Sequence, residues 1–201
     1  LDGPTGERIR KCRRGLLACG THQKYGLGCA GRRERMGDGM DEANEKEALL
    51  MFLRAQRASV LAIVDGLDPA ALTTPVQPFG WSPLGMIEHL GYAERHWLQE
   101  LATGSAEPLP WPDDDHLPLN TPRAPGTVFA FYRAQCELSD ATIASLPLSA
   151  PPHARHPPPL GDEVTDLRRI ILHMIEETAR HAGHLDIIRE LLDGKTGLGP
   201  R

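Results

Sequence analysis

Four stretches of this chain set apolar residues at helical spacing. No stretch alternates apolar and polar residues with the period of two that a half-buried strand requires. From Glu42 to Leu67 the repeating positions are Leu49, Phe52, Leu53, Val60, Ile63, Val64 and Leu67. A second helix is predicted in "GWSPLGMIEHLGYAERHWLQELATG", with Ser82 as N-cap, Pro83 at the first helical position and Gly104 as the stop. The third runs from about Thr127 to Leu146, with Val128, Tyr132, Cys136, Ile143 and Leu146 on one face. The last runs from about Thr165 to Leu192, and Gly194 ends it. Helices of this length with no strand predict an all-α four-helix bundle. The proline-rich connections 105–126 and 147–164 are long enough for crossovers, so the helix order stays open.

The 201 residues fit one domain with a tail, and 40% hydrophobic against 24% charged residues is the balance of a globular protein. Residues 1–39 are rich in Gly and Arg, show no period and read as a disordered basic leader. The bundle is expected over 40–194 and a short tail over 195–201. Met36 and Met40 precede the first periodic segment, so one of them is the expected natural start and the leader an upstream extension. Net charge divides at the same place. Residues 1–38 hold nine Lys/Arg against four Asp/Glu, and the rest hold thirteen against twenty-three. An acidic bundle disfavours a nucleic-acid surface. No apolar run reaches the roughly 20 residues of a membrane span, and no signal peptide is evident, so a cytoplasmic protein is expected. Cys12, Cys19 and Cys29, separated by six and nine residues, lack the tight C-x₂-C pairs of zinc modules and read as reduced thiols.

The last helix carries the chemistry. At about 100° per residue, His173, Glu177, His181 and His184 fall within a narrow arc, and the same stripe continues into Ile170, Ile188 and Leu191. A buried face interrupted by four ionisable groups costs several kcal/mol unless something compensates. A divalent cation does so by turning the charges into ligand bonds. On the second helix His89 lies on the apolar side, with His96 two turns later. His89 together with Glu177 and His181, one turn apart, makes a three-ligand site, and three protein ligands leave a coordination position open. A zinc protease would need H-E-x-x-H, whereas Met174 follows His173. A di-iron bundle would need two E-x-x-H pairs, and none is present. The alternative is a metal-free buried polar network. His173, His96 and His184 taken singly read as hydrogen-bonded residues; His184 and His96 are also the candidates for a catalytic base. Glu176 and Arg180 read as surface groups or as supports behind the ligands, Asp186 and Arg189 as a surface pair, and Tyr132, Arg133 and Cys136 as packing.

The segments "GWSPLGMIEHLGYAERHW" and "HMIEETARHAGHLDIIRELLDG" resemble the DinB superfamily of metal-binding four-helix bundles, in the branch of mycothiol-dependent transferases and maleylpyruvate isomerase. The likeness covers about residues 45–193. Many relatives use three histidines; here the earlier of the two positions on the last helix is Glu177, as in the isomerase branch. The resemblance implies His89, Glu177 and His181 as ligands of one divalent ion, often zinc, with crossover connectivity and frequent homodimers. Donor chemistry also admits nickel, iron or manganese.

Three functions follow as expectations. The first is an S-transferase using a low-molecular-weight thiol, mycothiol by resemblance, against a small electrophile; loops 105–126 and 147–164 would rim the pocket, with Trp111 as an apolar wall. The second is a hydrolase in which the same ion activates water. The third is a non-catalytic, stress-related bundle in which the metal serves stability or sensing.

Overall fold

A computed structural model describes residues 38–111 and 119–196. The leader with Cys12, Cys19 and Cys29, the centre of the first proline-rich connection and the last five residues lie outside the described residues. Among the described residues there are six helices: α1 (Asp38–Val64), α2 (Pro69–Thr73), α3 (Pro83–Arg95), α4 (Pro125–Ser145), α5 (Leu160–Glu163) and α6 (Leu167–Asp193). A π-helical stretch, His96–Leu101, continues α3. No strand occurs among the described residues, and no helix there is long and apolar enough to cross a membrane. The helix ends follow the local chemistry. Ser82 Oγ accepts from Gly85 N at the start of α3, Asp166 caps α6 through Arg169 N, and Gly194 closes α6 at φ 74°. Gly104 takes φ 71° after the π-helical stretch.

Side-chain pairings fix the helix directions. Glu45 pairs with Arg168 near the start of α1 and α6, and Arg189 donates to the Ile63 carbonyl near their ends, so these two helices run parallel. His89 meets His181, and Trp97 meets His173, so α3 and α6 run antiparallel. Arg57 reaches Asp140 and Lys46 reaches the Leu146 carbonyl, which sets α1 antiparallel to α4. The α3–α4 connection runs back along α3. Arg95 donates to the Glu107 carbonyl, Trp111 to the Tyr92 hydroxyl, and Ser82 N to the Leu119 carbonyl. Helix α4 therefore starts at the same end as α3, and the order is up, down, down, up. Of the two long connections only the first is a crossover; the second returns the chain from α4 to the antiparallel α6.

Two apolar clusters make the core. One holds Leu53, Leu98, Ile143, Ile170 and Met174; the other holds Val60, Leu84, Leu90, Tyr132 and Leu185. Every long helix crosses from one to the other through a polar residue: Arg57 on α1, Glu94 on α3, Ser139 on α4 and Thr178 on α6, all buried. Arg57 donates from Nε and Nη2 to the two oxygens of Glu94 at 2.7 and 2.6 Å, and from Nη1 to Asp140 at 2.6 Å. Burial alone would lower the pKa of this guanidinium, but the charge and hydrogen bonds of Glu94 outweigh it and the net shift is upward. Gln99 donates to Gln135 at 2.6 Å nearby. On the last helix the residue at the crossing is Thr178, next to Glu177 of the polar band.

Two residues assigned to apolar faces are exposed. Phe52 is 56% exposed, about 100° around α1 from the buried Leu53. Leu191 is 64% exposed, because the buried stripe passes through Leu185 and Ile188 and leaves Leu191 on the outer flank with His184 and Ile187. Asp186 and Arg189 do not pair either. Arg189 turns to Asp193 and to the carbonyls of Ile63 and Asp65. Glu176 and Arg180 are both exposed, and they pair with each other at 2.6 Å.

Candidate metal centre

His89 projects from the middle of α3 toward α6, because Leu90, one position on, must face the core. Across the groove, Glu177 and His181 lie one turn apart on α6, flanked inward by the buried Thr178 and Ala182. Glu177 Oε1 lies 2.9 Å from His181 Nε2 and 3.4 Å from His89 Nε2. The two imidazoles meet edge to face with centroids 5.0 Å apart. One ligand atom from each of the three residues falls within 4.8 Å of the other two. Their side chains are half-open to solvent, from 13% exposed at His181 to 36% at His89.

This donor set fits a divalent cation. An ion with bonds of about 2.1 Å to tetrahedral ligands separates neighbouring donors by roughly 3.4 Å, close to the spacings here. Two imidazole nitrogens and one carboxylate oxygen match the donor chemistry of zinc and its first-row neighbours. The carboxylate is ready as an anion: hydrogen bonds from His181 first and His89 second hold the Glu177 pKa far below the usual carboxylate range, against the opposing effect of burial. His184 adds a contact on the outer side of His181, with 3.3 Å between their Nδ1 atoms and ring centroids 5.4 Å apart. A His181 that donates its Nδ1–H to His184 keeps the Nε2 lone pair free for a ligand bond.

The remaining histidines of the stripe go elsewhere. His173 packs on Trp97 at 4.3 Å, half-buried, and burial lowers its pKa. His96 Nδ1 lies 3.1 Å from Glu100, and its ring meets His156 at 5.6 Å. Neither belongs to the converging trio. His156, in the second proline-rich connection, stacks on Trp97 at 4.9 Å; nothing in the spacing of that loop signalled it. The same connection walls an open cleft of about 520 Å³ with Leu160, Asp162 and Glu163 facing His173. Trp111 instead packs on Phe131 at 4.9 Å under the Arg123 guanidinium, which also bonds Glu88.

The fold is thus a helical bundle of up-down-down-up order with a half-open histidine–carboxylate–histidine cluster, a candidate metal site, between two antiparallel helices. Residues 48–194 match the family model of the mycothiol-S-transferases, and the chain belongs to that family. No protein of curated function and no solved structure matches it significantly.

Proposed function

We propose that this protein is a metal-dependent S-transferase that joins a low-molecular-weight thiol, mycothiol in the first instance, to a small electrophile. The observation that carries the reading is the convergence of His89, Glu177 and His181 on one point of the α3–α6 groove, in a chain of this family. These three residues would hold one divalent cation, zinc by their donor types, and three protein ligands leave a position for the cosubstrate. When bound, such an ion supplies the Lewis acidity that keeps a thiol of ordinary pKa near 8.5 in the thiolate form at neutral pH.

The protein's own groups set the stage for transfer. Glu177 brings the negative charge, and His181 and His89 bring neutral nitrogens. His184 orients His181 through Nδ1 and so fixes which nitrogen faces the groove. That engagement suits His184 to a positioning role, beside its candidacy as a base. The half-open groove lets the thiol proton pass to solvent. In the transfer a bond forms from sulfur to the electrophilic carbon, while the bond from that carbon to its leaving group breaks and the leaving group departs with the electron pair. The cytoplasm, where thiols are kept reduced, is the fitting setting.

Conjugation of mycothiol to a bromobimane, followed by fluorescence, tests the reading. The expected rate saturates in thiol, disappears on chelation and returns with added zinc. A rate no higher than the uncatalysed one after zinc loading would overturn it. Saturable hydrolysis of small esters or amides in the absence of thiol would put the hydrolase in its place.

A further inference from the structure

His184 has two neighbourhoods. On one side it meets His181; on the other it lines a cavity of about 160 Å³ with Phe79, Trp81, Ile187 and Ile188. We propose that this cavity is the electrophile subsite, and that it selects an electrophilic carbon carried on a single aromatic ring or an apolar group of similar size. The assignment rests on the transferase reading and names its substrate class.

Four observations support it. The cavity shares the His184 wall with the converging trio, so a ring seated there would hold its reactive carbon near the groove. Its volume is that of an apolar cavity known to take benzene, about 150 Å³. Apart from His184 its lining is apolar or aromatic, without a carboxylate or a cation. Finally, Phe79 and Ile187 are 51% and 56% exposed, and they belong to different segments. Large apolar side chains scattered singly on a surface need no explanation, whereas two from separate elements facing one hollow form a patch.

The walls are held in place before any ligand arrives. Val76 N donates to the Trp81 carbonyl, and Gly80 N to the Val76 carbonyl, closing a tight turn that places Phe79 and Trp81 side by side with centroids 6.3 Å apart. Gly80 takes φ 75° there, and Asn120 Nδ2 ties its carbonyl to the crossover segment at 2.8 Å. Ile187 and Ile188 come from the last two turns of α6. The larger cleft beside His173 makes a poorer electrophile site. It is lined by three carboxylates, Asp162, Glu163 and Glu176, against one cation, Arg169, so its net charge repels an electron-rich leaving group, and it meets the polar stripe at His173 and not at the trio.

Binding and turnover test the subsite separately, on the full chain. Chlorobenzene titrated into isotope-labelled protein, with neither thiol nor metal, is expected to shift the Trp81 indole and Ile187 methyl resonances, and the shifts should vanish in Phe79→Ala. Turnover is then compared for 1-chloro-2,4-dinitrobenzene and iodoacetamide. In each a carbon–sulfur bond replaces a carbon–halogen bond, and the halide leaves with the electron pair. The ratio of kcat/KM for the aromatic to that for the small electrophile should fall roughly tenfold in both Phe79→Ala and Ile187→Ser. Both positions are more than half exposed, so neither change threatens folding. Shifts that arise elsewhere, or a ratio that stays within about twofold of the wild type, would overturn the subsite. Chlorobenzene bound at Trp81 without conjugation of any electrophile would leave an aromatic-binding cavity, and would sink both its role as electrophile site and the transferase reading.

Discussion

His184 stands between the candidate metal centre and the apolar cavity, and its substitution separates orientation from ligation. His184→Ala should weaken metal binding about 10- to 100-fold without abolishing it, as loss of a hydrogen-bond partner to a ligating imidazole does elsewhere. Competition with a fluorescent zinc chelator measures this; affinity equal to wild type would remove the orienting role. Arg57 and Glu94 make a harsher residue-scale case. Removing one partner strands the other charge in the core, so Glu94→Leu or Arg57→Met should each cost about 3–5 kcal/mol in urea unfolding. The Arg57→Met/Glu94→Leu double variant should recover most of that loss. Both residues were legible and overlooked: Arg57 sits in the stripe with Leu53 and Val60, and Glu94 in that with Leu90 and Leu98, the same signal that exposed Glu177 on the last helix. The trio itself could be read because two ligands share a helix and the third occupies an apolar face. The cavity could not, because its walls come from a turn and a helix more than 100 residues apart.

The elements obey their caps, and the crossover obeys a glycine. A Cβ at Gly85 would lie 1.9 Å from the Leu119 carbonyl oxygen, a backbone atom that cannot swing aside. Gly85→Ala should therefore push the returning segment off the start of α3 and cost about 1–3 kcal/mol, read as a fall in Tm. An unchanged Tm would show that the docking of this connection adds little. The sequence exposed the start of α3 through Ser82 and Pro83 and its end through Gly104, but not the π-helical stretch between. There Trp97, Leu98 and Gln99 are buried in succession, as Pro83 to Glu88 are in the regular part of α3, so the apolar pattern carries no sign of the wider turn. The direction of α4 was also hidden in the sequence, since a long connection permits either sense; the backward path through Glu107, Trp111 and Leu119 decides it.

At the scale of the whole molecule, the bundle is two apolar cores joined by a polar layer, and the candidate metal centre lies in the half-open groove between α3 and α6. The layer also protects the bundle's own thiol. Burial first and the Glu94 carboxylate second push the Cys136 pKa up to about 12. The folded protein should thus resist Cys136 alkylation at pH 8, where the unfolded chain reacts readily. Because the folded state holds this proton more tightly, the thiol's contribution to stability is complete below about pH 9 and is lost as pH rises toward about 12. Urea midpoints measured across that range should fall in wild type more steeply than in Cys136→Ala. The account as a whole turns on the metal. Plasma mass spectrometry of protein purified without a histidine tag or chelator, beside His89→Ala and Glu177→Gln variants, measures it most directly. About one equivalent of a divalent ion in wild type, absent from both variants with the helical spectrum intact, is the predicted result. Wild-type protein that takes up no ion even after incubation with zinc, nickel and manganese would contradict it, leaving His89, Glu177 and His181 as a metal-free hydrogen-bond network.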